Sequence, residues 1–179
     1  MTTNPYPSAE APKAPAGTPA YSVWIWLVVF LPYVTLPLLF STDFSPLLNP
    51  GTLDDQAGVM RAQLAILTSP QIILASVLGW VAAAAVVFAS YRDWRWLQTV
   101  GVVKPFPWAW AFTSLAGYPV YAIGRSVVTK RRTGHGSAVM WVTIALMVLS
   151  FIGAIVWVAV LVTSIVTQMV PLTPGNLPS

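Results

Sequence analysis

Basic side chains gather in two parts of this 179-residue chain, each beside tryptophans or a long apolar segment. Lysine and arginine beside apolar surface can bind the phosphate of an anionic lipid headgroup, and each charge near the membrane adds about 1 kcal/mol. Alternatively, these residues bind no ligand and only determine how the chain is oriented in the membrane, because positively charged loops concentrate on the cytoplasmic side. The candidates for either role are Arg92, Arg95, Lys104, Arg125, Lys130, Arg131 and Arg132.

Tryptophans form the second group of candidate residues. Their rings are typical of the membrane–water interface, where one edge is apolar and the other meets water. We predict interfacial positions for Trp24, Trp26, Trp94, Trp96, Trp108 and Trp110. The aromatic residues between Phe106 and Tyr121 also fit a second interpretation, a cavity for an amphiphile.

The sequence predicts no catalytic residue, no metal site and no cofactor. There is no cysteine, which excludes disulfides, cysteine-ligated metals and thiol catalysis. His135 is the only histidine. Asp54 and Asp55 are adjacent, so they do not face each other on a helix and are better explained as charges at a helix start. An enzyme is therefore not expected.

The composition is that of an integral membrane protein. Only 8% of the residues are charged and 56% are hydrophobic, whereas a soluble domain carries about 25% charged residues. Long stretches such as 14–42 and 62–91 hold no charged residue. This is typical of segments surrounded by lipid, because an ionised side chain in hydrocarbon is costly in free energy. The net charge of +4 is confined to short loops, so nucleic-acid binding is not expected.

Three apolar segments have the length of membrane-spanning helices, about 20 residues each. They are 22–40, 71–90 and 140–166. Pro32 and Pro37 lie inside the first and predict a kinked helix, since each removes a backbone donor. The fold class is thus all-α, within a helical membrane domain covering 21–170.

A fourth apolar segment, Pro105–Gly124, can be interpreted in two ways. A simple span would place one of the basic clusters that flank it on the outer side, against the positive-inside rule. Its sequence also breaks at Ala116-Gly-Tyr-Pro119, where glycine and proline permit a turn. We favour a re-entrant hairpin that enters and leaves on the cytoplasmic side, and a fourth transmembrane helix is the alternative.

The polar region after the first span predicts a surface helix over 53–67. Thr52 can cap it, and Met60, Leu64 and Leu67 recur at helical spacing, as in an amphipathic helix lying on the membrane. The proline- and alanine-rich residues 1–20 predict a disordered tail, because they cannot bury enough apolar surface. Residues 171–179 predict an irregular C-terminal tail.

One part of the chain, Tyr91–Thr133, has recognisable local sequences: Trp108-Ala-Trp-Ala-Phe112, Val120-Tyr-Ala-Ile-Gly-Arg-Ser-Val127 and Lys130-Arg-Arg-Thr-Gly134. In these it resembles uncharacterised small multi-pass membrane proteins of actinobacteria. The resemblance implies the cytoplasmic membrane of a Gram-positive cell. It carries over no functional residue.

Three functions remain open from the sequence. The first is a non-enzymatic accessory or structural subunit of a membrane assembly, and the others are a homo-oligomeric channel or small-solute transporter and an anionic-lipid binder. The expected partners are the lipid bilayer and other membrane chains, or copies of the same chain. The expected location is the cytoplasmic membrane, with the N-terminus in the cytoplasm.

Overall fold

The computed structural model describes residues 13–15, 17–48 and 55–169, and within these ranges every regular element is a helix. The α-helices are α1 (Val23–Phe30), α2 (Leu36–Phe40), α3 (Ser45–Leu48), α4 (Gln56–Leu67), α5 (Pro70–Thr99), α6 (Val120–Thr133) and α7 (Ser137–Met169). Two 3₁₀ helices cover Leu31–Tyr33 and Trp108–Ala116. The predicted all-α fold class is confirmed.

Three helical segments are long and apolar enough to cross a membrane: Val23–Phe40, Pro70–Thr99 and Ser137–Ser164. They correspond to the three predicted spans. The first is interrupted as its prolines predict, because α1 ends at Phe30 and a 3₁₀ turn containing Pro32 precedes α2. Pro37 falls in the first turn of α2, where its missing N–H leaves no intrahelical bond unmade.

The second span is longer than the sequence predicts. Helix α5 does not end at Ser90 with the apolar residues but continues to Thr99. No glycine or proline follows until Gly101, which has a φ of +88° and ends the helix there. Asp93 and the two arginines beside it therefore lie on the same helix as the span.

The segment Pro105–Gly124 is not a single helix. The second 3₁₀ helix ends at Ala116, and Gly117 follows in the left-handed conformation, with a φ of +81°. Helix α6 begins at Val120 and packs against that 3₁₀ helix. The break lies where the sequence places it.

The chain forms two compact units. In its described residues, the first takes in the chain up to Pro32 and Val81–Leu146. Its apolar core is built from α1, α5, α6, the second 3₁₀ helix and the start of α7. The buried members of this core are Ile25, Val28, Val29, Val86, Ala89, Ala111, Tyr121, Ala122 and Val139.

The second unit takes in Tyr33–Trp80 and the described chain from Met147 onwards. Trp157 packs its ring against those of Phe40 and Phe44, with centroids 6.1 and 5.2 Å away. Helix α4 lies within the range 53–67 for which a helix is predicted. It starts later than predicted, and the Asp55 carboxylate caps it by accepting a hydrogen bond from Ala57 N at 3.1 Å. Met60 and Leu64 are exposed on it.

Some sequence predictions fall outside the described residues. These are the capping role of Thr52, the placement of Asp54, the C-terminal tail 171–179, and residues 1–12 and 16 of the N-terminal tail. The described residues between Lys13 and Ser22 form no helix and include a turn at Gly17; they are called the strap below.

Candidate functional site

A buried ion pair joins α5 to α6 in the first unit. The Asp93 carboxylate and the Arg125 guanidinium are both 0% exposed. Arg125 donates two hydrogen bonds to Asp93, from Nε to Oδ2 at 3.0 Å and from a terminal nitrogen to Oδ1 at 3.1 Å. This two-point geometry is the strongest that arginine and carboxylate can form.

Two hydroxyl groups complete the surroundings of the Asp93 carboxylate. Tyr121 Oη donates to Oδ2 at 2.9 Å, and Ser22 Oγ donates to Oδ1. Burial raises the pKa of the Tyr121 phenol, and the negative charge of Asp93 raises it further. The phenol therefore stays protonated and remains a hydrogen-bond donor. With four donors, the buried carboxylate is well compensated.

The strap is hydrogen-bonded to this ion pair. Arg125 donates from its other terminal nitrogen to the Ala20 carbonyl at 2.7 Å. At the opposite end of the strap, Ala14 N donates to the Arg132 carbonyl at 3.0 Å. Ser22 Oγ also accepts from Ile25 N at 3.2 Å and so caps α1. One buried cluster thus fixes the strap, the start of α1, α5 and α6 together.

An open cleft lies beside the buried cluster, at the C-terminal end of α5. Its volume is about 380 Å³, and its lining residues are Trp24, Tyr91, Arg92, Arg95, Trp96 and Thr99. The Arg92 guanidinium lies 5.0 Å from the centre of the Trp24 ring, and Arg95 donates to Tyr91 Oη at 3.4 Å. We call this the arginine cleft.

The arginine cleft has a positive potential. Among the described residues no acidic side chain lines it, and the nearest one in the helix, Asp93, is buried and neutralised by Arg125. Arg92 and Arg95 are exposed, so their guanidinium groups can reach an anion, while the tryptophans supply apolar walls. This arrangement can bind a phosphate group attached to an apolar body.

A smaller cleft lies between α6 and α7. Its volume is about 190 Å³, and it is lined by Ser126, Val127, Lys130, Arg131, Ser137 and Met140. Lys130 and Arg131 are exposed. Four of the seven predicted basic residues thus line the two clefts of the first unit. The other three line neither: Lys104 is exposed, Arg132 is half-buried and Arg125 is buried.

Arg125 has a different role from the other basic residues with which it was grouped. It is fully buried, so its guanidinium serves the ion pair and does not contact a lipid headgroup. The sequence contained one usable signal for this pairing. Tyr121, Arg125 and Thr129 share one face of a helix through their four-residue spacing, and all three are buried.

The predicted interfacial tryptophans are all partly accessible to solvent. Trp110 is exposed and the other five are half-buried. Only Trp24 and Trp96 line the arginine cleft. The ring of Phe106 packs against Trp110 and Tyr121, with centroids 6.3 Å from each, so the aromatic cluster is partly a packing feature of the first unit.

His135 is exposed, with Nδ1 3.1 Å from the Thr133 carbonyl oxygen. Within the described ranges, no three His, Cys, Asp or Glu residues come together as a metal site would require. Comparisons with protein-family models, with curated proteins and with solved structures find no match to this chain. Its site is therefore interpreted from its own geometry.

Proposed function

We propose that this chain is a non-enzymatic membrane protein that binds the headgroups of anionic lipids in the arginine cleft. The observation that carries the proposal is the pairing of two exposed guanidinium groups with two tryptophans in one cleft of about 380 Å³. A guanidinium group can donate two parallel hydrogen bonds to the oxygens of one phosphate. Tryptophan rings are enriched at the membrane–water interface, which is where lipid phosphates lie. A lipid would place its phosphate on the arginines and its glycerol region against the indole rings.

The proposal includes a topology in which this cleft faces the cytoplasm. The basic residues at the end of α5 and on α6 would then lie on the side that the positive-inside rule assigns to them. Neither the 3₁₀ helix of 9 residues nor α6 with 14 reaches the roughly 20 residues needed to cross a bilayer. This supports a re-entrant segment over a fourth span. The proposal also places the N-terminus in the cytoplasm of a Gram-positive cell.

Binding to the cleft is tested by measuring lipid retention. The detergent-purified chain is mixed with phosphatidylglycerol or phosphatidylcholine, and bound lipid is counted by native mass spectrometry. We expect preferential retention of phosphatidylglycerol. The Arg92→Gln/Arg95→Gln variant removes two charges of about 1 kcal/mol each, so its affinity for phosphatidylglycerol falls about 30-fold.

The matched control is Lys104→Gln/Arg131→Gln, which also removes two exposed basic charges but none from the arginine cleft. It is expected to retain phosphatidylglycerol nearly as the original chain does. Equal losses in both variants would mean diffuse attraction to the membrane and no specific site. Equal retention of both lipids by the original chain would reject the proposal altogether.

A second candidate function is that of an accessory subunit of a larger membrane assembly. The observation in its favour is that the span Ser137–Ser164 has none of its most apolar stretch buried inside the chain. One face of this helix contacts Phe40 and Phe44 through Trp157, and the rest of its surface is left to lipid or to other chains. The two functions are compatible, because an accessory subunit can also hold lipid.

A further inference from the structure

Two buried hydroxyl groups near the ion pair lack a hydrogen-bond partner in the part of the chain that the structure describes. They are Ser90 Oγ and Thr129 Oγ1. Ser90 is 0% exposed and Thr129 is 1% exposed. Almost all buried polar groups in proteins are paired, and the exceptions usually have a specific cause such as an internal water or ion.

Other buried hydroxyls of the same unit are satisfied in the ordinary way. Ser126 Oγ donates to the Ala122 carbonyl and Thr143 Oγ1 donates to the Val139 carbonyl, both at 2.7 Å. This bond to the carbonyl four residues earlier is the usual solution for a serine or threonine inside a helix. Ser90 and Thr129 do not make it, and their oxygens have no other hydrogen-bond partner among the described residues.

The two hydroxyls are close to the ion pair along their helices. Ser90 lies three residues before Asp93 on α5, and Thr129 lies four residues after Arg125 on α6, so each shares a helix face with one member of the pair. The strap also comes near. A β-carbon placed on Gly136 would lie 3.2 Å from the Thr129 methyl carbon and 3.6 Å from Ala20 Cβ.

Arg125 itself has hydrogen-bonding capacity left. Its two terminal nitrogens each donate once in this structure, and each carries two N–H groups. The region therefore offers spare donors from a guanidinium and two hydroxyls that can both donate and accept. A ligand that suits it must be small and must accept hydrogen bonds.

We propose that Ser90 and Thr129 bind internal water molecules that complete the hydrogen bonding around the Asp93–Arg125 pair. The charges of the surrounding groups favour water over an ion at this position. The charges of Asp93 and Arg125 cancel, so a buried anion would leave a net negative charge in the core, at a high desolvation cost. A cation would face a carboxylate whose oxygens already accept four hydrogen bonds. Water is neutral and both donates and accepts.

The direct test is an experimental structure of the unaltered chain in a lipid nanodisc, at a resolution that shows ordered water. We expect density about 2.7–3.2 Å from each of the two hydroxyl oxygens. A map that shows ordered water elsewhere in the first unit but none at these oxygens would overturn the proposal. This test needs no variant and so does not depend on one folding.

The second test asks whether removing each hydroxyl lowers or raises the Tm of the protein. Thr129→Val is compared with Thr143→Val, and Ser90→Ala with Ser126→Ala, by thermal unfolding in detergent. Removing a hydroxyl that binds water strands the other partners of that water, so we expect the Tm to fall about 2–4 °C more than in the matched control. A rise in Tm would indicate hydroxyls that are truly unpaired, and a change equal to the control would indicate bonds to the helix carbonyls. Either result rejects bound water.

An anion is excluded by a salt comparison. The Tm of the original chain is measured in sodium chloride and in sodium gluconate at equal ionic strength. Bound water predicts equal values. A Tm that is higher in chloride, and no longer so in the Thr129→Val variant, would show that a halide ion and not water binds at this hydroxyl. That result would overturn the proposal.

Discussion

Arg125 stabilises the first unit mainly by compensating a charge that is already buried. If Arg125→Met is made, Asp93 keeps its Ser22 and Tyr121 donors but loses both guanidinium bonds. A buried charge without its partner destabilises a protein by about 3–5 kcal/mol. We therefore expect the free energy of unfolding, measured by titration with a denaturing detergent, to fall by about that amount.

The second variant of this experiment removes both charges. In Asp93→Asn/Arg125→Met the amide oxygen can accept from one of the two hydroxyls, Ser22 or Tyr121, and the amide nitrogen can donate to the other. No charge is left in the core, so at least half of the lost stability should return. The exposed Arg131→Met serves as control, with an expected change within about 0.5 kcal/mol. A double variant less stable than Arg125→Met would contradict this account.

Gly124 is required by its neighbour and not by its backbone angles. A β-carbon at this position would lie 2.5, 2.7 and 2.8 Å from three atoms of the Phe106 ring. Gly124→Ala should therefore force the ring away and cost about 1–3 kcal/mol of stability. The measurement is the same unfolding titration.

Gly79→Ala is the control for that substitution. A β-carbon on Gly79 would meet the Thr35 methyl carbon at 3.9 Å, an ordinary contact. Since Gly79 lies within a helix, alanine there should leave stability unchanged or raise it by up to about 1 kcal/mol. Similar losses in the two variants would show that the Phe106 ring does not constrain Gly124.

Sequence patterns identify the basic residues and tryptophans of the site but not which of them are buried. Arg92 and Arg125 look alike in a linear sequence, because each lies among apolar and aromatic neighbours. What separates them is a tertiary contact. Asp93 meets a partner 32 residues away, and no local periodicity encodes a pairing across two helices and a loop.

At the level of elements, hydrophobicity predicts the apolar part of a helix but not where the helix ends. The apolar run stops at Ser90, while α5 continues for another nine residues to Thr99. Those residues include no helix breaker, so the backbone continues although the side chains become polar. The breaks at Pro32 and Gly117 were predictable, since their cause is local.

The re-entrant topology predicts where single cysteines can be labelled. The native chain has no cysteine, so Val103→Cys, His135→Cys and Ser45→Cys each report one exposed position. With a hairpin, membrane-impermeant reagents label Val103→Cys and His135→Cys from the same side and Ser45→Cys from the other. His135 is preferred to Gly134, whose φ of +78° would strain a cysteine.

A fourth span gives a different result in the same experiment. Val103→Cys and His135→Cys would then be labelled from opposite sides. Labelling in cells, before and after permeabilisation, distinguishes the two topologies. Ser45→Cys fixes the reference side in both cases, because Ser45 lies between the first two spans.

For the whole molecule, composition was enough to predict the three helical segments that are long and apolar enough to cross a membrane in the described chain, because scarcity of charge is a global property of the chain. Its division into two compact units was not predictable. Helices α5 and α7 both run through the boundary between the units, so no linker or change in composition marks it.

The exposure of the spans leads to a prediction about assembly. Only 17% and 22% of the most apolar stretches of the first two spans are buried inside the chain, and none of that of the third. Helices that bury little against their own chain have surface left for other helices, which associate through close packing in lipid. We therefore expect that purification in a mild detergent, followed by native mass spectrometry, yields a stoichiometric complex with a different membrane chain.

A pure homo-oligomer would instead favour the channel or transporter function and call for flux assays in liposomes. A monomer carrying only lipid would contradict the subunit proposal and leave lipid binding as the function to pursue.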